Sequence, residues 1–337
     1  MDKPSQKVSE RRNLSLLSII VPCFNEEQVI REAHRRLTAT LETIPESNFE
    51  LIYVDDGSDD GSLGILRELQ QADQRVRIIV LSRNFGHQIA VTAGLEHAAG
   101  DAVVVIDADL QDPPEVIHEM LERWRQGVDV AYGVRLDREG ETTFKLWSAR
   151  VFYRFINRLS DVPIPLDTGD FRLLDREVVN AFLAMPEKDR FVRGMMAWVG
   201  FRQEPVHYQR AARLAGVTKY PFRNMLSFAI NGILSFSLAP LRLAMYMGFT
   251  ASGLALLGIV YALGMRLFTD TWVTGWTLLF IAMLFLGGVQ LLFLGIIGEY
   301  LGRIYGEVKR RPLYLVKERL GFASADKVDT RVETTMS

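Results

Sequence analysis

Along the first 125 residues, short apolar runs alternate with longer stretches whose apolar positions recur every three or four residues. "LLSIIVP" (16–22), "FELIYVDD" (49–56), "VRIIVLS" (76–82) and "DAVVVIDAD" (101–109) are rich in β-branched residues and bounded by turn residues, so they predict strands. Between them, "EEQVIREAHRRLTATLETI", "LGILRELQQAD", "GHQIAVTAGLEHAAG" and "PPEVIHEMLERWRQG" predict helices. The first has acidic residues where the helix dipole favours them, and the last opens on prolines and stops at glycine. Strands alternating with helices predict an α/β domain with a mostly parallel, doubly wound sheet and helices on both faces.

The pattern changes after residue 220. Leu243–Met265 and Thr271–Gly298 are two runs without a charge, each longer than the roughly 20 residues a helix needs to cross a bilayer. Trp272 and Trp276 lie near one end of the second run, where interfacial aromatics belong. The short link "RLFTD" predicts an antiparallel transmembrane hairpin with both chain ends on one side. Lys219, Arg223 and Arg242 before it, and Arg303, Lys309, Arg310, Arg311, Lys317 and Arg319 after it, assign that side to the cytoplasm. Ahead of the hairpin, Phe222, Met225, Ala229, Ile233 and Phe236 recur at helical spacing opposite Arg223, Ser227, Asn231 and Ser235, which predicts an amphipathic helix in the membrane interface. The expected organisation is a disordered lead-in at 1–13, an α/β domain at 14–220, the interfacial helix at 221–240, spans at 241–267 and 271–301, and a basic cytoplasmic tail at 302–337.

A net charge of −2 supplies no electrostatic case for nucleic acid as a partner. The only cysteine, Cys23, excludes an intrachain disulfide and reads as a small buried apolar side chain at a strand end. Carboxylates crowd the strand ends instead: Asp55 and Asp56 after the second, then Asp107, Asp109 and Asp112 with Gln111 after the fourth. Unpaired in a core they would be costly, whereas doubly wound sheets bind ligands beyond the carboxyl ends of their strands. No glycine-rich phosphate loop is present. Acidic groups facing a phosphate ligand would repel it unless a divalent cation stood between. Mg²⁺ is held by one or two carboxylates plus ligand phosphates, and Mn²⁺ has similar preferences. The "DAD" turn therefore predicts a metal that holds a diphosphate; the competing reading is an acidic cap on the helix after Pro113.

In this order, "VPCFNEE", "VDDGSDDGS", "LSRNFGHQIAVTAGLEHAAGD" and "DADLQDPPE" resemble the family 2 glycosyltransferases of GT-A fold, and more narrowly the polyprenyl-phosphate glycosyltransferases related to dolichol-phosphate mannose synthase. "DTGDFRLLDREVV", "RFVRGMMAWVGF", "AGVTKYPF" and the two-span tail are similar to the bacterial bactoprenol (undecaprenyl-phosphate) glucosyltransferases. The likeness extends over residues 14–322.

The resemblance implies a GT-A, Rossmann-like domain. Nucleotide contacts would come from Pro22, Phe24, Glu26, Val54, Asp55 and Asp56, and ribose or diphosphate contacts from Asp107 and Ala108. Asp109 and Gln111 would bind Mg²⁺ or Mn²⁺; Arg135, Lys145, Arg213 and Lys219 would face phosphates. Asp170 would be the acceptor-side carboxylate, although dolichol-type enzymes lack an acid there. The implied reaction is inverting transfer of a sugar, glucose from UDP-glucose by preference, to a polyprenyl phosphate at the cytoplasmic face of a bacterial inner membrane, by a homotetramer. UDP-GlcNAc, UDP-galactose and GDP-mannose stay open as donors. A processive polysaccharide synthase is disfavoured because no Q-x-x-R-W motif occurs, and a scaffold without chemistry because "DADLQ" is intact. His87 in "FGHQ" reads as a helix-start histidine and "RFVRG" as lining the mouth of the site.

Overall fold

The computed structural model describes residues 12–45, 48–136, 168–209, 239–268 and 275–322. They fall into two compact units, one built from segments of 1–146, 164–219 and 312–337, the other from segments of 147–163 and 220–311.

In the first unit the chain runs β1 (Leu16–Cys23), α1 (Ile30–Leu41), β2 (Asn48–Asp55), α2 (Ser62–Ala72), β3 (Val76–Leu81), α3 (His87–His97) and β4 (Ala102–Val105). A single 3₁₀ turn, Pro114–Val116, leads into α4 (Ile117–Arg125), then β5 (Val130–Arg135). The unit continues with β6 (Thr168–Asp175), α5 (Arg176–Leu183), α6 (Val192–Trp198), β7 (Gln203–Tyr208) and, after the second unit, β8 (Val316–Leu320). All four predicted strands and the helices between them are present. Helix α1 starts at Ile30, later than its acidic pattern suggested, because the backbone N–H groups of Asn25, Glu26 and Glu27 donate to Ser58, Ser62 and Asp60 in the neighbouring loop.

One eight-stranded sheet runs in the order β7-β5-β6-β4-β1-β2-β3-β8. β1 pairs in parallel with β2 and β4, and β2 with β3. Their apolar side chains are buried, as in sheets covered on both faces. β6 is antiparallel to β4 and β5, and β8 is antiparallel to β3, so the sheet is mostly parallel but mixed. The order β3-β2-β1-β4 reverses direction at β1, and in open α/β sheets ligands bind in the crevice at such a switch point.

Strand β8 lies within the expected basic tail. It covers the exposed edge of β3, with Arg67 ion-paired to Glu318 at 2.5 Å. At the other end, Arg12, inside the expected lead-in, pairs with Asp129 at 2.5 Å and Asp175 at 3.0 Å.

The second unit holds α7 (Ala239–Phe268) and α8 (Trp276–Val308), which contact each other. Ala244–Met265 and Phe285–Val308 are long and apolar enough to cross a membrane, and no part of either window is buried. A core helix of a soluble protein would bury such residues. α8 runs seven residues past the predicted span end at 301, with Glu299 and Arg303 one turn apart in an ion pair at 3.5 Å. The predicted interfacial helix lies outside the described residues up to 238, as does the link at 269–274.

Candidate active site

The loop after β1 begins beyond Pro22, which is buried, and presents Phe24 and Glu26 half-buried. Asn25 sits at φ +57°, and the loop is latched to the one after β2: Asn25 N–H donates to Ser58 Oγ at 3.0 Å, and Asn25 Oδ1 accepts from Asp59 N–H at 2.9 Å. Val54 and Asp55 end β2, both buried. Burial raises the Asp55 carboxyl above its ordinary pKa, against hydrogen bonds from Ser58. Asp56 is committed to structure: its two oxygens accept the N–H groups of Phe85 (2.7 Å) and Gly86 (2.9 Å). This fixes the entry to α3, where Gly86 takes φ +99°, a conformation side chains resist.

Beyond β4, Asp107 and Asp109 are half-buried, and Ala108, Gln111 and Asp112 are buried. Leu110 has φ +57°. A non-glycine residue in this conformation on each side of the switch point is the kind of local strain found at functional sites. The carboxylates differ. Tyr208 O–H donates to Asp112 at 2.5 Å, Arg135 lies 3.4 Å from the same oxygen, and Arg135 Nε donates to Tyr208 Oη at 3.3 Å. Arg135, expected to face a phosphate, thus also approaches Asp112. The Asp107 carboxyl is raised to about 6, chiefly by burial, with the charge of His87 lowering it and those of Asp170, Asp112 and Asp109 raising it. Asp109 Oδ1 accepts from Gln111 N–H at 3.1 Å.

This oxygen-rich, negatively crowded end suits a hard divalent cation. Among the described residues no three carboxylate, imidazole or thiolate groups converge as a closed metal cage would require. Asp109 with Gln111, completed by ligand phosphates, matches the sparse protein coordination typical of Mg²⁺.

Because β6 is antiparallel to β4, its first residues lie at the carboxyl end of the parallel strands. Val105 is level with Arg172, and the same register carried two residues on brings Asp170 level with Asp107. His87, the first residue of α3, stands between them: its Nε2 lies 3.1 Å from Asp170 and 3.6 Å from Asp107. Arg193 on α6 donates to Asp170 from Nε at 2.8 Å and from a terminal nitrogen at 3.3 Å. Buried Arg172 lies 3.9 Å from Asp170. Gln88 ties the group together, donating to Asp170 at 3.3 Å and accepting Val192 N–H at the start of α6 at 3.0 Å.

Burial alone would raise the Asp170 pKa, but Arg193 and His87 hold it well below the usual carboxylate range. Burial would likewise lower that of His87, yet the hydrogen bond to Asp170 and the charges of Asp107 and Asp170 raise it to about 9. Asp170 is an anion and His87 a cation at neutral pH. Lys145, Arg213 and Lys219 lie outside the described residues.

Residues 18–183 match the family described as glycosyl transferase family 2. The uncharacterized glycosyltransferase YkcC of Bacillus subtilis is 52% identical over 304 residues, 90% of this chain and 94% of that protein. The chain belongs to glycosyl transferase family 2. This glycosyltransferase is also 40% identical, over 90% of its length and 97% of the other, to the SfII prophage-derived bactoprenol glucosyl transferase of Shigella flexneri. Among solved structures, glucosyl-3-phosphoglycerate synthase of Mycobacterium tuberculosis, in complex with Mn²⁺, UDP-glucose and phosphoglyceric acid, is 18% identical, covers 69% of this chain and 83% of its own, and has a TM-score of 0.45.

Sequence reasoning left His87, Gln88 and Arg193 of the glycosyltransferase without a shared role. The one available signal was position, since "FGHQ" opens a helix at the carboxyl end of a parallel strand. Their common partner, Asp170, lies 83 residues beyond His87, 82 beyond Gln88 and 23 before Arg193.

Proposed function

We propose that this glycosyltransferase moves a sugar, glucose from UDP-glucose by preference, to a polyprenyl phosphate at the cytoplasmic face of a bacterial inner membrane, with inversion at the anomeric carbon. The observation that carries the reading is one end of the sheet with two kinds of charge: the carboxylates of Asp107 and Asp109, and beside them the cations His87 and Arg193 around Asp170. A nucleotide diphosphate bound through a cation and a second phosphate bound by side-chain cations can then approach one sugar from two sides. The likeness to bactoprenol glucosyl transferases over nearly the whole chain supports the lipid acceptor, as do the two unburied apolar helices.

On this reading Pro22, Phe24, Glu26, Val54, Asp55 and Asp56 contact the nucleotide, and Asp107 and Ala108 its ribose and diphosphate. Asp109 and Gln111 would hold Mg²⁺ or Mn²⁺, which when bound offsets charge on the departing diphosphate. Arg135, Lys145, Arg213 and Lys219 add phosphate contacts. A phosphate monoester has a second pKa near ~6, so the acceptor is largely a dianion at neutral pH and needs no strong base. Asp170, held far below the usual range, is a poor proton acceptor. Its task is to orient the cations around it. Catalysis then rests on positioning and charge complementarity.

The test is incubation of the purified protein with undecaprenyl phosphate and radiolabelled sugar nucleotides, followed by lipid extraction. Label should enter the lipid phase from UDP-glucose and stop doing so with EDTA. Asp109→Asn should lower the rate about 100-fold or more, several kcal/mol of barrier. Transfer that persists without metal refutes the cation, and absence of labelled lipid from every donor refutes the reaction.

A further inference from the structure

Asp170 is enclosed by groups of opposite sign, and their exposure is uneven. The side chains of Asp170 and Arg172 are 7% and 5% accessible, while those of His87 and Arg193 are 36% and 30% accessible. Asp170 is therefore at the back, and His87 and Arg193 are at the front beside the Asp107 carboxylate, which is 34% accessible. Among the described residues the group sets the carboxylates of Asp170 and Asp107 against His87, Arg193 and Arg172. His87 spends Nε2 on the carboxylates, and among the described residues no hydrogen bond reaches its Nδ1. It also begins an eleven-residue helix, whose dipole favours an anion at that end. Arg172 Nε, deep in the cluster, has no hydrogen-bond partner among the described residues. This assembly is built to receive an anion.

The donor's diphosphate has its own seat at Asp109 and Gln111. Asp107, which lies two residues from Asp109 along the chain, begins a continuous run of contacts through His87 and Asp170 to Arg193, at 3.6, 3.1 and 2.8 Å. An in-line displacement needs its second phosphate on the far side of the sugar from the first.

We infer that the phosphate monoester of the acceptor seats on His87 and Arg193, which Asp170 and Gln88 hold in place. The inference rests on the transfer reaction proposed above and gives its acceptor site particular residues. Asp170 is then a counter-ion that aims two cations, a positioning residue, and Gln88 sets the spacing by tying it to the first turn of α6.

The experiment uses the full-length protein in detergent, with initial rates against UDP-glucose and undecaprenyl phosphate varied separately. His87→Gln and Arg193→Gln should each raise the acceptor KM about tenfold or more, the loss expected for one charge-assisted hydrogen bond, and leave the donor KM within about twofold. His87→Lys should recover part of the acceptor affinity. Retained UDP binding certifies the fold of each variant, and Arg193→Gln decides the matter if His87→Gln fails that check. A rise in donor KM, or an acceptor KM unchanged in the variants that pass, overturns the assignment.

Binding is measured apart from turnover with farnesyl phosphate and with inorganic phosphate. Farnesyl phosphate should bind the wild type and weaken in His87→Gln, with inorganic phosphate a far poorer competitor. Equal competition by inorganic phosphate would mark a free-phosphate site and overturn the lipid assignment. The two readings fail separately. A wild type that binds farnesyl phosphate through His87 but transfers no sugar loses the reaction and keeps the seat. An active enzyme indifferent to both substitutions keeps the reaction and loses the seat.

Discussion

Four side chains, Asp107, His87, Asp170 and Arg193, set the electrostatics of this glycosyltransferase, and their individual ionisations yield testable consequences. His87 has a pKa raised from 6.5 to about 9, so the stability its charge contributes is complete below 6.5 and disappears as the pH rises through about 9. Thermal unfolding of wild type and His87→Gln should therefore differ most at or below about pH 6.5 and converge toward about pH 10. A difference that stays constant from neutral to alkaline pH would show that the charge plays no part. Asp170→Asn leaves Arg172 and Arg193 beside a neutral group. Breaking such a buried pair costs about 3–5 kcal/mol of folding stability, measurable by denaturant titration. The variant should retain residual turnover, and its pH–rate profile should lack nothing the wild type has on the acid side. Complete loss of turnover with both substrates still binding would contradict a purely orienting role.

At the scale of elements, the position of His87 depends on how closely α3 lies on the sheet. Gly94 makes that approach possible: a β-carbon there would come within 2.3 Å of Ile20 Cγ2 on β1. Alanine is intrinsically better than glycine in a helix by about 1 kcal/mol, but overpacking a tight core contact costs about 1–3 kcal/mol. Gly94→Ala should thus destabilise the domain and, by lifting the helix that carries His87, lower activity more than its stability loss alone explains. Equal or higher stability would refute the close packing. The elements β1 to β4 and α1 to α4 were legible because each has a complete local signature: β-branched runs, prolines at a helix start, glycine at a stop. β8 was not, since "VKERL" alternates weakly and is read naturally as part of a charged tail. Only the unpaired edge of β3 makes a strand of it.

For the molecule as a whole, β8 means that chain emerging from the apolar helices returns to complete the α/β sheet. Ending the protein at Arg311 would uncover the edge of β3, and exposed edge strands template aggregation. The shortened protein should lose solubility in detergent and unfold at lower temperature than the full chain, as size-exclusion chromatography and a thermal melt would reveal. Equal behaviour would mean that β8 is dispensable. The unburied windows in α7 and α8 predict that the full chain stays with membranes through an alkaline carbonate wash; release into the supernatant would argue against spanning helices.

The linear order of residues determined the α/β class, the acidic turns at strand ends, the two long apolar segments and the likeness to family 2 glycosyltransferases, because each is written in neighbouring residues and needs no distant partner. It placed Asp109 beside Gln111 and Asp55 beside Asp56 for the same reason. Tertiary structure alone decided which of these charges meet. Strand β6 enters the sheet reversed, and that reversal carries Asp170 to the level of Asp107, against the first turn of α3 and under Arg193 from α6. Asp112 meets Tyr208 and Arg135, and Asp56 meets two backbone amides, partners that spacing does not reveal. Strand direction and long-range pairing depend on the whole sheet closing around one core, and a local pattern holds no record of either.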